Sequence, residues 1–259
     1  MDQFSLQGKV ALITGASRGI GEAIAQTFAK AGAQVIVASR HLDNLEVVVQ
    51  TIRGNGGEAF AIAAHMGDAG AVKLLVQQSI DLFGGIDVVV NNAGINPYWG
   101  SLLEAEESLW DKTLDVNLKG YFRLIREATP SMIERGGGKV INIASIAGLS
   151  PMPGVGLYGI SKAAVIMLTK ILAVELAPNN IQVNAIAPGF VKTRFSQAIW
   201  GDETVNQAVI DNTPAKRIAD VDELMGLALY LATPASQYLT GQTIVIDGGL
   251  TLSTSNYGD

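Results

Sequence analysis

The chain has 259 residues, 48% of them hydrophobic and 16% charged, with a formal net charge of −6. That length and apolar content exclude disorder and suit one large α/β domain, while a negative chain without a Lys/Arg run excludes a nucleic-acid surface. There is no cysteine, and His41 and His65 are the only histidines, so disulfides, thiolate chemistry, a histidine triad and a metal centre have almost nothing to be built from.

The opening MDQFSLQGKVAL lacks a basic segment followed by an apolar one. No apolar run approaches the roughly 18 residues of a membrane span. The end TSNYGD matches no lipidation or retention signal. A soluble, cytoplasmic protein with no membrane partner is expected. The first β-branched run, Val10 to Ile13, leads into TGASRGIG, Thr14 to Gly21. Gly15, Gly19 and Gly21, with Ser17, Arg18 and Ile20 between them, stand after a strand and open a helical pattern, Glu22 to Ala31. Absent side chains there let backbone amides reach a pyrophosphate at the positive end of a helix dipole. The GxxxGxG spacing is weak alone in a chain with 29 glycines; its place between strand and helix gives it weight.

A second strand, Gln34 to Ala38, ends at Ser39 and Arg40, about 20 residues past the turn, where an NAD site presents a carboxylate to the ribose 2′-hydroxyl. No carboxylate is there. Arg40 and Arg18 instead form a cationic clamp suited to a 2′-phosphate, so NADP(H) is the expected cofactor, and Asp43 reads as a helix-start residue. After a third strand, Ala59 to Ala63, His65 and Met66 fall where an adenine would lie. A helix, Ala71 to Phe83, precedes a fourth strand, Val88 to Val90, which runs into Asn91, Asn92, Ala93 and Gly94, small or amide-bearing residues suited to a ribose.

A long helical pattern, Glu107 to Glu134, contains Asn117; a strand, Lys139 to Ala144, ends at Ser145; and a helix, Leu157 to Leu176, carries Tyr158 and Lys162 on one face. Strands at Ile181 to Ala187 and Thr243 to Ile246 complete a set of seven. Between them Pro188 to Pro214, with Phe195, Ile199 and Trp200 among polar residues, is long for a connection and is a candidate lid. Strands alternating with helices, without linker or repeat, imply one domain over 1–259: α/β, a Rossmann-like doubly wound seven-stranded parallel sheet with its crevice at the strands' carboxyl ends.

Hydride transfer to a carbonyl builds negative charge on oxygen, which a site must meet with a proton and hydrogen-bond donors. Tyr158 is the candidate proton donor. Bringing a phenol from about 10 to about 7 needs roughly 4 kcal/mol of preferential phenolate stabilisation, to which an adjacent Lys162 ammonium contributes. Ser145 is placed to bond the substrate oxygen, and Asn117 to orient a water or a backbone group. Ile95, Pro97, Tyr98, Trp99, Ile146, Met152, Phe195 and Trp200 are candidates for the rim around an apolar or aromatic carbonyl, with Trp99 and Trp200 equally open to packing roles.

TGASRGIG, NNAG, Asn117, Ser145 with YGISK, and the APG turn at Ala187 to Gly189 resemble, in order and spacing, the short-chain dehydrogenase/reductase family over nearly the whole chain. The resemblance implies Asn117, Ser145, Tyr158 and Lys162 as a catalytic tetrad, Lys162 also holding the nicotinamide ribose. It implies Pro188, Gly189, Val191 and Thr193 along the nicotinamide amide and pyrophosphate. NAGINPYWGSL, WDKTLDVN and ELAPNNIQVNAIAPG look most like the NADPH-dependent carbonyl reductases. Ser39 and His65 stand where many members have acids. Reduction of 3-oxoacyl thioesters on a carrier protein is the alternative, with Lys112, Lys119, Arg123 and Arg126 as a thin docking patch; a non-catalytic NADP(H)-binding scaffold is a third. The family's habit implies a homotetramer, and Val165, Ile166, Leu168 and Leu172 are expected to need a second subunit's cover.

Overall fold

The computed structural model describes residues 3–253. Among them, β1 (Val10–Thr14), β2 (Gln34–Ser39), β3 (Glu58–Ala63), β4 (Val88–Asn91), β5 (Gly138–Ile143), β6 (Ile181–Pro188) and β7 (Thr243–Ile246) pair in parallel in the order β3-β2-β1-β4-β5-β6-β7. The helices are α1 (Gly19–Lys30), α2 (Leu42–Gly54), α3 (Ala69–Phe83), α4 (Glu107–Leu114), α5 (Gly120–Glu134), α6 (Gly156–Leu176), α7 (Gln197–Trp200), α8 (Glu203–Asn212) and α9 (Met225–Ala232). The expected α/β architecture is present, and all seven strand positions lie where the β-branched runs put them.

Successive strand side chains point to opposite faces, so β1 divides its residues between two cores. Ala11 and Ile13 pack with Ile24 and Phe28 of α1 and Leu231 of α9; Val10 and Leu12 pack with Leu75 of α3 and Leu124 of α5. Cover on both faces is why the strands read as unbroken apolar runs. After β3 the chain returns across β1 to start β4, and at that reversal the β1 and β4 exits diverge into a crevice.

Three sequence expectations change. The helix expected over Glu107 to Glu134 is two helices joined by a single π turn, Asp115–Lys119, which carries Asn117; such bulges re-aim side chains and recur at functional sites. The irregular Pro188 to Pro214 segment is half helical: Asp202 caps α8, its carboxylate accepting from Thr204 N at 2.9 Å and Val205 N at 3.0 Å. Finally, the stretch Gly156–Asn179 is long and apolar enough by length and composition to cross a membrane, with mean hydropathy 1.6, where the sequence reading found no such run. In this fold it flanks the sheet, packing beside β6.

That packing also covers the residues expected to need a partner. Val165, Ile166 and Leu172 are buried within the single chain, and Leu168 packs against them. The apolar side chains that α6 leaves exposed are Ile160, Met167, Ile171 and Val174. The TSNYGD end lies outside the described residues.

One buried charge stands out at the other end of the sheet. Lys139 of β5 is 7% exposed, its amine donates to Ser236 Oγ at 3.3 Å, and burial lowers it to about 8. A folded-state value below the unfolded 10.5 means that the unfolded chain binds more protons between about 8 and 10.5, so this group makes stability rise with pH across that window. Lys139→Met removes the burial cost. Its stability gain over wild type, from urea midpoints, is expected to be larger at pH 7 than at pH 9.5; a gain independent of pH would refute the assignment.

Candidate active site

The glycine turn joins β1 to α1 and sits under the β4 exit. Gly15 has φ +64°, and a Cβ there would meet Ala93 Cα at 2.8 Å, so only glycine permits this approach. Asn92 locks it, its side-chain amide donating to Thr14 O and Gly15 O, both at 3.0 Å, while Thr14 Oγ1 accepts from Asn92 N at 3.1 Å and Ala93 N at 3.2 Å. Arg18, at the N-cap of α1, makes no capping hydrogen bond. Gly21 is buried against Asn92 and Gly15 and is not on the cleft wall; its role is close packing, because any Cβ would collide with both.

A cleft of about 660 Å³ runs along the strands' carboxyl ends. At the exits of β1, β2 and β3 it is lined by Gly15, Ser17, Arg18, Gly19, Ile20, Ser39, Arg40, His65 and Met66; after β4, β5 and β6 and on α6 it is lined by Asn92, Ala93, Gly94, Ser145, Tyr158, Lys162, Pro188, Gly189, Val191 and Thr193 with the expected rim of Ile95, Pro97, Tyr98, Trp99, Ile146, Met152 and Phe195. Sequence reasoning missed Val116, Arg194, Val205 and Val209, whose helical or loop positions gave no local signal, and Lys112, weighed only for docking. Among the described residues, no aspartate or glutamate lines the cleft.

Trp200 is the rim residue that the structure does not bring to the cleft. Its indole N–H donates to Thr193 O at 2.8 Å, turning the ring back over the segment that leaves β6. Ser196 Oγ ties the same segment, accepting from Thr193 N at 3.2 Å and donating to Val191 O. Phe195 is thereby held with its ring centroid 5.9 Å from that of Tyr158.

The reacting end is built on β5 and α6. Asn142 of β5 accepts from Asn91 of β4 and donates to Thr169 of α6, both at 2.9 Å, a buried polar thread that fixes α6 to the sheet. Ser145 follows β5, its Oγ accepting from Ala147 N at 3.1 Å and lying near enough to the Tyr158 hydroxyl to favour the phenolate. Lys162 is 2% exposed; its ammonium donates to Ile143 O at 2.7 Å and to Tyr121 Oη at 3.3 Å, and lies 5.6 Å from the Tyr158 ring centroid.

Asn117 is fully buried and splints the β4 exit. Its amide donates to Ile95 O at 2.9 Å and Ser161 Oγ at 3.0 Å, and its Oδ1 accepts from Ile95 N at 2.8 Å. Of the two expected tasks, the geometry carries the second: both amide protons orient protein groups, and only one Oδ1 lone pair remains.

The electrostatics differ from the simple expectation. Burial pushes Tyr158 up to about 12 against the lowering hydrogen bond from Ser145, and burial lowers Lys162 to about 7. The apolar surroundings disfavour both ions, so the protein alone does not hold an acidic phenol. Tyr158 keeps part of its surface on the open cleft.

A dinucleotide fits these residues. A Cβ at Gly94 would stand 3.6 Å from both Lys162 Nζ and Asn117 Oδ1, so its absence leaves an open floor between two polar groups. Arg18 and Arg40 make no ion pair among the described residues and face a cleft free of carboxylates. The docking patch is weaker than its residues suggested: Lys119 and Arg123 pair with Asp115 at 3.0 and 3.4 Å, and Arg126 with Glu127 at 2.7 Å.

Comparison with known proteins agrees with this arrangement. A family profile described as enoyl-(acyl carrier protein) reductase matches residues 15–251. The chain is 41% identical over 244 residues to human dehydrogenase/reductase SDR family member 4, covering 94% of this chain and 88% of that protein. Among solved structures, a short-chain type dehydrogenase/reductase from Mycobacterium marinum has a TM-score of 0.91 and 42% identity, covering 96% of this chain and 98% of that one. A Burkholderia cenocepacia gluconate 5-dehydrogenase in complex with NADP and tartrate has a TM-score of 0.94 and 36% identity, covering 98% and 99%. A 7α-hydroxysteroid dehydrogenase complexed with NADH and 7-oxo glycochenodeoxycholic acid has a TM-score of 0.92 and 33% identity, covering 96% of each chain. With the phosphate turn, the strand-end serine and the Tyr158/Lys162 pair gathered on one cleft, and with likeness of this extent, the chain belongs to the short-chain dehydrogenase/reductase family and is an oxidoreductase.

Proposed function

We propose that the protein is an NADP(H)-dependent carbonyl reductase or alcohol dehydrogenase. It moves hydride between nicotinamide and the carbonyl or alcohol carbon of an apolar or aromatic ketone, aldehyde or secondary alcohol. The observation that carries the reading is the convergence of Ser145, Tyr158 and Lys162 with apolar side chains on one cleft that also holds Arg18 and Arg40 and, among the described residues, no carboxylate. The cofactor, when bound, supplies or takes the hydride. The chain's residues do the rest: Ser145 donates to the substrate oxygen, Tyr158 gives that oxygen its proton in reduction and takes it in oxidation, and Lys162 holds positive charge beside the phenol. Ile95, Trp99, Met152 and Phe195 keep water from the reacting carbon.

The 2′-phosphate clamp favours NADP(H) over NAD(H). The NADP-bound gluconate 5-dehydrogenase supports this choice, whereas the steroid dehydrogenase, complexed with NADH, marks that the fold accepts either form. Carrier-protein substrates are disfavoured, because three of the four cations that would receive an acidic carrier, Lys119, Arg123 and Arg126, are already paired with Asp115 and Glu127, which leaves Lys112 alone. For assembly, we propose a homotetramer covering Ile160, Met167, Ile171 and Val174 of α6.

Oxidation of NADPH by purified protein with a panel of aromatic ketones, diketones and acetoacetyl thioesters tests the reaction. Turnover is expected with the apolar ketones, and Tyr158→Phe is expected to lower kcat by about 100-fold or more while NADPH binding persists; a variant as active as wild type would end the reading of Tyr158. Arg40→Asp should raise the kcat/KM ratio of NADH to NADPH by about 10-fold or more, and an unmoved ratio dismisses the clamp. Light scattering at micromolar concentration should return four times the chain mass, and a monomer mass would remove the tetramer.

A further inference from the structure

Among the described residues, the largest fully buried side chain is a second tyrosine, Tyr121, and it touches the lysine of the proposed acid/base pair. It lies on the first turn of α5, directly after the π turn that carries Asn117. Its hydroxyl donates to Ile143 O at 3.2 Å, and Lys162 Nζ donates both to that carbonyl at 2.7 Å and to Tyr121 Oη at 3.3 Å. The three atoms close a triangle at the end of β5. The ammonium is 5.2 Å from the Tyr121 ring centroid and 5.6 Å from that of Tyr158, so it neighbours two phenols.

The direction of these bonds separates the two tyrosines. A phenol has one proton, and Tyr121 spends it on Ile143 O, leaving lone pairs toward Lys162. Burial, with a smaller contribution from Tyr158, pushes Tyr121 well above its usual range, so it stays a neutral acceptor and exchanges no proton with the site. Lysine has three N–H donors. Ile143 O and Tyr121 Oη take two, and the third remains for the cleft, where Gly94 leaves open space beside Nζ.

We propose that Tyr121 is a positioning residue: its hydroxyl holds the Lys162 amine in its charged form and turned toward the cleft, and through it sets the pH range over which Tyr158 exchanges a proton with substrate. The proposal deepens the reading of Tyr158 and Lys162 given above and rests on it. The titratable groups facing the amine are Tyr121 from α5 and Tyr158 from α6. β5 contributes the Ile143 carbonyl, and the neighbouring π turn and β4 exit contribute the neutral Asn117 and Gly94. With no carboxylate among these groups, each neutral acceptor weighs heavily on a buried cation, and the amine already sits at about 7.

Tyr121→Phe deletes the hydroxyl and keeps the ring. Ile143 O still receives the Lys162 proton, so no buried acceptor is orphaned. In cofactor-free protein carrying lysine labelled with ¹³C at Cε, the Lys162 resonance in Tyr121→Phe should titrate about half a pH unit lower than in wild type, about a threefold change in its dissociation constant. In the alcohol-oxidation direction, the acidic limb of the kcat profile should move to higher pH by a similar factor, because a less charged lysine acidifies Tyr158 less, while KM for the alcohol stays within about twofold. An unshifted Lys162 resonance overturns the proposal, as does a uniform loss of kcat at every pH. If wild type turns over no substrate but the resonance shifts, the enzymatic reading fails and the hold on Lys162 stands. Tyr121→Met, a flexible core filler without an acceptor, gives the same titration readout should the phenylalanine variant not fold.

Discussion

Everything at the reacting end depends on an amine buried at the end of a strand. Lys162 is 2% exposed, and its anchor is the 2.7 Å bond to the Ile143 carbonyl, the last residue of β5. A backbone carbonyl that ends a parallel strand has no further strand partner in that direction, so it is free to receive a side chain from the next helix. The cost of removing a charge from water is only partly offset by one carbonyl and one phenol. The descent of Lys162 to about 7 is that uncompensated remainder. The same apolar environment raises Tyr158 to about 12. The free protein therefore holds the Tyr158 phenol neutral and the Lys162 amine only partly charged near neutral pH, and an arriving charge has a large effect because the local dielectric is low.

Such a site requires a rigid frame, since Tyr158 and Lys162 ride on α6 while Ile143 and Ser145 belong to the end of β5. The frame is polar and internal. Asn91, Asn142 and Thr169 thread from β4 through β5 into α6, and Asn117 ties the β4 exit to Ser161 one residue before Lys162. Buried hydrogen-bond networks of this kind define geometry more than they add stability. Ser161 Oγ continues the chain by donating to Tyr158 O at 2.7 Å. The tyrosine, the lysine and the π turn are thus parts of one hydrogen-bonded object.

Much of this was legible from residue order, for physical reasons that differ by element. Strands covered on both faces read as β-branched runs, so Val10, Val35 and Val89 announce their elements without a structure. The glycine turn was legible because Gly15 has a conformational reason to be glycine. The π turn was not, since DVNLKG has the apolar spacing of an ordinary helix and one extra residue per turn leaves no compositional mark. Asp202, a cap three residues before Val205, marked α8 and went unread. Tyr121 was invisible as part of the site for a different reason: an aromatic at a core position on a helix is normally packing, and only coordinates reveal which buried donor its hydroxyl meets. Trp200 failed in the opposite sense. Its indole has one polar atom, and the nearby Thr193 carbonyl captured it before any ligand could.

The cleft also resolves an apparent conflict between a negative protein and an anionic cofactor. A net charge of −6 repels a dinucleotide phosphate at long range. At physiological ionic strength, however, exposed charges farther than about 8 Å are largely screened, so the field that a bound phosphate feels is set by the cleft wall. There the composition is reversed: among the described residues, Arg18, Arg40, Lys112 and Arg194 line it and no carboxylate does. None of these four takes part in an ion pair among the described residues, whereas Lys119, Arg123 and Arg126 on the outer surface do. The acidic groups of the chain neutralise the surface and spare the cleft. That distribution, more than the count of charges, makes the interior of this site a place for an anion.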